Sequence, residues 1–336
     1  MKKIQLLIAV SDMDYSEHLS RVLMEKYEEL FEISVCSSAE RLRGLTEKHY
    51  DAALIDAQLM QSMPACAATL PLLLHNEMEE LPASAQGMKF IEKYQRISLI
   101  VSQLLEQYAD AVPGSSMFGG SKGTVTVVWS PAGGCGKTTT ALALAAQRVA
   151  EGRKTAYLNL ESFSSTAAYF PQTGKSISTV FGKLDSNVEA LLQSIRQQDS
   201  GSGIYYFCQP ENYDDINVLS PEDVVLLATN CARIVDELVI DLSSSCDEKT
   251  KRLLTLADAV LLVQDATQTA HVKLSQFCTQ NSIFKEIFPK TVVVANRGSK
   301  IEGVKAPVVS LPVVQSENAA VVFKTLSAGY FEKYGV

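Results

Sequence analysis

The residues best able to do chemistry lie in one run, Ser130-Pro131-Ala132-Gly133-Gly134-Cys135-Gly136-Lys137-Thr138-Thr139. Its glycines let successive backbone N–H groups turn inward around an anion, and the N terminus of the helix behind the lysine adds a partial positive charge. Lys137 is placed to reach the β- and γ-phosphates of a nucleotide, and the Thr138 hydroxyl to ligate Mg²⁺. Gly133, Gly134, Cys135, Gly136, Lys137, Thr138 and Thr139 therefore form the candidate phosphate-binding set. Cys135 reads as a small loop residue, with a thiol activated by the helix N terminus as the alternative. The second anchor is Asp241, which closes the hydrophobic run Glu237-Leu238-Val239-Ile240-Asp241. An acid ending a buried strand at this distance behind a phosphate loop is placed to hold Mg²⁺. Asn159 and Glu161 end a further apolar run, and ligands of parallel sheets bind at that end of the strands.

Such a loop needs a strand before it and a helix behind it. Residues 124–129 supply the strand, and 138–151 the helix, with Gly152 as its stop. Further strands are expected over 155–161, 203–208, 237–241, 259–263, 291–295 and 308–311. Helices are expected near 187–198, 221–235, 270–280 and 316–334, while 162–203 otherwise shows no clear period. Upstream, strands over 4–10, 31–36, 52–55, 70–74 and 89–91 alternate with helices over 15–27, 38–48 and 97–108. Alternation of this kind implies parallel sheets with right-handed crossovers, an α/β fold in each half. A Pro/Gly/Ser-rich stretch over 111–123 reads as a flexible linker. The expected domains are 1–110 and 124–336.

The 336 residues are 46% hydrophobic and 20% charged, a globular composition long enough for two domains. No apolar run approaches the ~20 residues that span a bilayer. Met1-Lys2-Lys3 precedes a short apolar strand without a small-residue cleavage site, so no signal peptide is expected. Seven cysteines with no C-x-x-C pair suit a reducing cytosol and argue against structural zinc. Residues 1–112 hold 10 Lys/Arg against 17 Asp/Glu, and the whole chain carries −8, so a direct nucleic-acid surface is not expected.

The general phosphate-loop pattern G-x-x-x-x-G-K-[ST] wants glycine where Pro131 stands. The run from Ala132 to Thr139 instead resembles the K-G-G-x-G-K-[ST]-[ST] loop of the MinD/ParA family of P-loop NTPases at every place but the first. In that family the first lysine reaches across an ATP-sandwiched dimer to the partner's phosphates; here the position is Ala132. The resemblance implies ATP and Mg²⁺ as ligands, a homodimer, and roles in catalysis for Lys137, Glu161 and Asp241. Where that family has D-x-D, this chain has Asn159-x-Glu161, one carboxylate on a longer arm. Asn296-Arg297 after a central strand resembles the family's adenine-reading pair, and Pro312 joins the implied nucleotide-binding set.

The first domain resembles a response-regulator receiver, a flavodoxin-like parallel sheet. Asp12, Asp56 and Lys93 stand at the places of the Mg²⁺-binding acid, the phosphorylated aspartate and the phosphoryl-pairing lysine. Ser11 replaces a second acid, and His75 or Asn76 replaces the switch threonine or serine, so a degenerate receiver used for docking is expected. Together the two domains resemble the TadZ/CpaE proteins of Tad (Flp) pilus assembly. That resemblance implies a cytoplasmic, polar, weakly or non-hydrolysing ATP-binding scaffold that recruits pilus secretion machinery. An active MinD/ParA-type ATPase positioning cargo, division or flagellar machinery, and a phosphorylation-gated signalling protein, are the alternatives. MinD proteins end in a basic amphipathic anchor, but here only Lys324 and Lys333 accompany the final apolar face, so core packing rather than direct membrane binding is expected.

Overall fold

The computed structural model describes residues 3–44, 48–64, 67–76, 88–111, 123–185, 188–280, 282–299, 301, 305–327 and 329–331. The expected linker lies almost wholly outside them. The chain divides into two compact units, Met1–Gly120 with Asp185–Ser194, and Ser121–Leu184 with Ile195–Val336.

The first unit is built on five strands, β1 (Ile4–Ala9), β2 (Phe31–Cys36), β3 (Tyr50–Asp56), β4 (Ala68–His75) and β5 (Phe90–Glu92). All pair in parallel, in the order β2-β1-β3-β4-β5. Two helices cross between them, α1 (Met13–Lys26) and α2 (Ala39–Arg43), and α3 (Ile97–Ala111) follows β5. The side chain of Asp12 caps α1, and that of Ser38 caps α2. Helix α2 stops well short of 48, with Gly44 as its C-cap. Leu6, Leu7, Ile8, Ala52, Ala53 and Leu54 are fully buried, which explains the unbroken apolar runs of β1 and β3: a parallel sheet covered on both faces needs them.

The second unit carries an eight-stranded sheet in the order β13-β12-β11-β6-β10-β7-β9-β8. Its strands are β6 (Thr124–Trp129), β7 (Thr155–Asn159), β8 (Gln197–Gln198), β9 (Tyr205–Tyr206), β10 (Glu237–Asp241), β11 (Ala259–Gln264), β12 (Thr291–Ala295) and β13 (Val308–Ser310). Only β8 runs antiparallel, against β9. The helices are α4 (Lys137–Ala150), α6 (Asp214–Val218), α7 (Pro221–Ala232), α8 (Glu248–Leu256), α9 (Gln268–Gln280), α10 (Ser282–Ile287) and α11 (Ala319–Leu326). Helix α5 (Glu189–Ile195) falls almost entirely in the segment that groups with the first unit.

Strand β6 sits centrally, paired with β10 on one side and β11 on the other. Helix α4 is buried on every side: Ala141, Leu142, Ala143, Leu144 and Ala145 are all 0% exposed. A helix apolar all round is a core helix, and burial of each leucine contributes roughly 1.5–3 kcal/mol. That packing fixes the start of α4, and with it the loop. Part of its cover comes from the C-terminal segment, where Leu326 and Phe331 join the same core cluster and the Phe331 N–H donates to Gln147 Oε1 at 2.9 Å.

Two expectations need correction. The strand expected over 203–208 shrinks to Tyr205–Tyr206, because Gly203 bends the chain at φ +73 and Cys208 keeps only an isolated bridge to Ser176. The final helix is Ala319–Leu326, capped by Asn318, rather than 316–334; residues 332–336 lie outside the described set. Among the described residues, no helix is long and apolar enough to cross a membrane.

Candidate functional site

Leaving β6, the chain folds back on itself through Ser130, whose hydroxyl accepts the Ala132 N–H at 3.1 Å. Gly134 (φ +72) and Gly136 (φ +93) both lie in the left-handed region, for different reasons. A Cβ at Gly134 would meet only open space, so its backbone angle alone demands glycine. A Cβ at Gly136 would lie 2.2 Å from Asn296 Nδ2, so there closeness demands it as well. Helix α4 begins at once with Lys137 and has no side-chain cap, which leaves its first-turn N–H groups for an anion.

Lys137 is only 7% exposed. Its ammonium donates to Ser244 Oγ at 3.0 Å and forms no ion pair among the described residues. Ser244 in turn donates to the Ala132 carbonyl at 2.9 Å, tying the loop after β10 to the phosphate loop. A buried ammonium with a neutral partner is unfavourable unless an anion completes the site. Thr138 is partly exposed beside it, and the Thr139 hydroxyl lies 3.3 Å from Tyr169 Oη. Cys135 is fully buried and donates to the Ala132 carbonyl at 3.3 Å, while burial pushes its thiol pKa up. The activated-thiol alternative is thereby corrected, since a thiol held protonated in a packed core is inert.

The acidic end is set by strand register, Asp241 on β10 lying opposite Asn159 on β7. Asp241 is fully buried; its Oδ2 accepts from Tyr157 Oη at 2.8 Å and from Asn159 Nδ2 at 3.0 Å. Its Oδ1 has no hydrogen-bond partner among the described residues. Burial first, then the Glu161 carboxylate, pushes the Asp241 pKa up to about 7, against the pull of Thr138, Tyr157 and Lys137. Asn159 also accepts the Glu161 N–H on its Oδ1 at 3.0 Å, so it holds the backbone of the partly exposed Glu161 while donating to Asp241. An aspartate in its place would set two carboxylates against each other. An orphaned carboxylate oxygen buried near the Thr138 hydroxyl fits Mg²⁺, a hard ion taking oxygen donors.

The third side of the site comes from β12. The Asn296 amide donates from Nδ2 to the Cys135 carbonyl at 2.8 Å, and its Oδ1 accepts the Arg297 N–H at 2.8 Å. Arg297 (φ +54) is the one left-handed non-glycine among the described residues, and its guanidinium lies 3.6 Å from Asp265 Oδ2. The Gly298 N–H bonds the Leu311 carbonyl at 3.1 Å, which brings Pro312 alongside. The structure thus gathers the loop glycines, Lys137, Thr138, Asp241, Glu161 and Asn296 at one end of the sheet. Tyr157 and Ser244 were not identified from sequence: a tyrosine in an apolar strand reads as core, and a serine among three reads as loop.

No family model matches the chain, and no curated protein matches it by sequence. Among solved structures, the ParA family ATPase of Chlorobium tepidum is similar, with a TM-score of 0.52 at 18% identity over 62% of this chain and 95% of that one. The chain carries a ParA-type ATPase fold. A putative plasmid partition protein of Borrelia burgdorferi, bound to AMPPNP, aligns at a TM-score of 0.48 and 18% identity over 63% of this chain and 96% of that one. A cobyrinic acid a,c-diamide synthase of Mycobacterium smegmatis, with an ATP analogue and magnesium bound, aligns at 0.48 and 20% over 64% and 97%.

Within this ParA-type fold, Ala132 is 5% exposed, and its N–H and carbonyl are both engaged. In the first unit, the three residues singled out have protein partners. Asp12 accepts the Tyr15 N–H at 3.0 Å as the cap of α1. Asp56 is 4% exposed; its Oδ2 accepts the Ser11 N–H at 2.6 Å and the Ser11 hydroxyl, and its Oδ1 the Leu59 N–H at 2.9 Å. Lys93 lies over the rings of Tyr15 and Tyr94, at 5.0 and 5.4 Å from their centroids.

Proposed function

We propose that this chain binds ATP with Mg²⁺, dimerises around it, turns it over slowly or not at all, and acts as a TadZ/CpaE-like localisation scaffold. The observation that carries the first step is the buried Lys137, without an ion pair among the described residues, at an uncapped helix start, together with the orphaned Asp241 oxygen. Lys137 and the loop N–H groups hold the phosphates, while Thr138 and Asp241 hold the metal. Mg²⁺ neutralises phosphate charge when bound. Glu161, its backbone held by Asn159, is the acid nearest the place of an attacking water. Asn296, Arg297 and Pro312 border the place of the base.

Slow turnover follows from Ala132. It offers no cation to a partner's phosphates, and transition-state charge stabilisation of that kind is a large term. The first unit is a receiver-like docking module: its strand order matches the flavodoxin-like pattern. With three hydrogen bonds already on Asp56 and only Ser11 beside Asp12, it docks without phosphoryl transfer. Its partners are the pilus secretion machinery, met in the cytoplasm at a cell pole, with no nucleic acid involved. Light scattering with and without Mg-ATP, alongside phosphate release, tests the scheme. An ATP-dependent dimer with release near background is expected; rapid hydrolysis by the chain alone, lost in Lys137→Ala, would favour a cycling ParA-type ATPase.

A further inference from the structure

We infer that Tyr169 is a positioning residue for the phosphate site, fixing the hydroxyl of Thr139, and that through it the C-terminal helix α11 contributes to nucleotide affinity. The assignment rests on the nucleotide-binding reading above and adds to it a residue from the stretch in which the sequence shows no clear period.

Thr139 is the third residue of α4, in the turn whose N–H groups are left for an anion. A threonine in a helix divides between two rotamers, because its hydroxyl can bond back to a carbonyl three or four residues earlier. For Thr139 those carbonyls belong to Gly136 and Cys135, inside the loop itself. Tyr169 gives the hydroxyl a partner outside the loop, its Oη lying 3.3 Å from Thr139 Oγ1. Whichever oxygen donates, the pair spends one of its two protons on itself and keeps the other for an anion.

The ring of Tyr169 is packed so that its hydroxyl stays at that place. It follows a single 3₁₀ turn, Thr166–Ala168, and its N–H donates to the Thr166 carbonyl at 3.0 Å. The next residue anchors the turn: Phe170 is 2% exposed and stacked on Tyr206, with ring centroids 4.6 Å apart and 20° between planes. The Tyr206 hydroxyl donates to the Pro171 carbonyl at 2.8 Å. From α11 comes Phe323, edge-on to Tyr169 at 6.1 Å and 87° and to Phe170 at 6.5 Å and 84°. Helix α11 itself packs on α4, and buried Leu326 pins its end. Phe323, Tyr169 and Thr139 thus form a chain of contacts from the C-terminal helix to the start of α4.

Calorimetry of the full chain with Mg-ATP and with Mg-tripolyphosphate, paired with urea unfolding, separates positioning from packing. Tyr169→Phe keeps the ring and removes only the oxygen; it should weaken both ligands about three-fold or more with the urea midpoint nearly unchanged. That loss should persist in Thr139→Ser, which keeps the hydroxyl, and vanish in Thr139→Val, which does not. Phe323→Leu should lower the urea midpoint in both the wild-type and Thr139→Val backgrounds, but weaken the ligands only where the Thr139 hydroxyl is present. Full affinity in Tyr169→Phe, or a loss undiminished in Thr139→Val, overturns the assignment and leaves the nucleotide reading standing. Phe323→Leu that binds as wild type does, or whose loss survives in Thr139→Val, overturns the part given to α11. Wild type that binds neither ligand overturns the nucleotide reading, and this assignment with it.

Discussion

Tyr157 donates a hydrogen bond from its hydroxyl to Asp241 inside the buried end of the site, holding one carboxylate oxygen and leaving the other open. Removing that proton donor should cost about 1 kcal/mol of stability, near the net worth of one hydrogen bond. Tyr157→Phe is therefore expected to lower the urea midpoint and to weaken Mg²⁺-dependent ATP binding, with Mg²⁺-free binding much less affected. An unchanged Mg²⁺ titration would show that Tyr157 only packs. Sequence alone shows that 157 is apolar core, yet the contact depends on the register that sets β7 beside β10, which no local pattern encodes. Ser244 was hidden likewise, since its role depends on a lysine 107 residues earlier. Gly136 and Lys137 were legible because the chemistry of a phosphate loop is local, written in consecutive residues.

Two elements carry local devices with measurable consequences. Helix α7 starts with a capping box in which Ser220 Oγ accepts the Asp223 N–H at 3.1 Å and Asp223 Oδ2 accepts the Ser220 N–H at 2.8 Å. Ser220→Ala should cost about 1 kcal/mol. The Ser220 backbone N–H, then its hydroxyl, hold the Asp223 pKa below its ordinary 3.8. A depressed acid stabilises the fold above its unfolded pKa and stops doing so as pH falls through the folded value. The stability gap between wild type and Asp223→Asn should therefore be full at neutral pH and close below about pH 4; a gap constant with pH would contradict it.

At the opposite end of the sheet from the loop, Glu237 is 1% exposed, with Arg153 at 2.6 Å, Arg148 at 3.7 Å and the Thr126 hydroxyl at 2.6 Å. Glu237→Ala would leave buried Arg148 with only the partly exposed Glu151, at 2.8 Å, as its acid, so a loss of about 3 kcal/mol is expected in denaturant unfolding. A loss under about 1 kcal/mol would mean that Arg148 finds enough in Glu151. Strands β6, β10, β11 and β12 were readable because strands covered on both faces must be continuous apolar runs. Apart from the helix expected near 187–198, found as α5 (Glu189–Ile195), the stretch from 162 to 203 was not readable. It holds short 3₁₀ turns and a two-residue strand, whose stability comes from tertiary packing rather than from any period.

The chain as a whole joins a unit with five parallel strands to a unit with a ParA-type fold, each legible from its alternation of strand and helix. The second keeps groups open for a ligand at its strand ends, Asp241 Oδ1 among them. In the first, Asp56 is spent on Ser11 and Leu59, so acetyl phosphate with Mg²⁺ should leave it unlabelled; stoichiometric labelling lost in Asp56→Asn would reverse that. The central claim is that Lys137 awaits the phosphates of ATP, and calorimetry of Mg-ATP against wild type and Lys137→Ala tests it most directly. Loss of a charge-assisted phosphate contact, about 1.5–3 kcal/mol, should weaken binding roughly ten-fold or more. Equal ATP affinity in the two proteins would contradict the account.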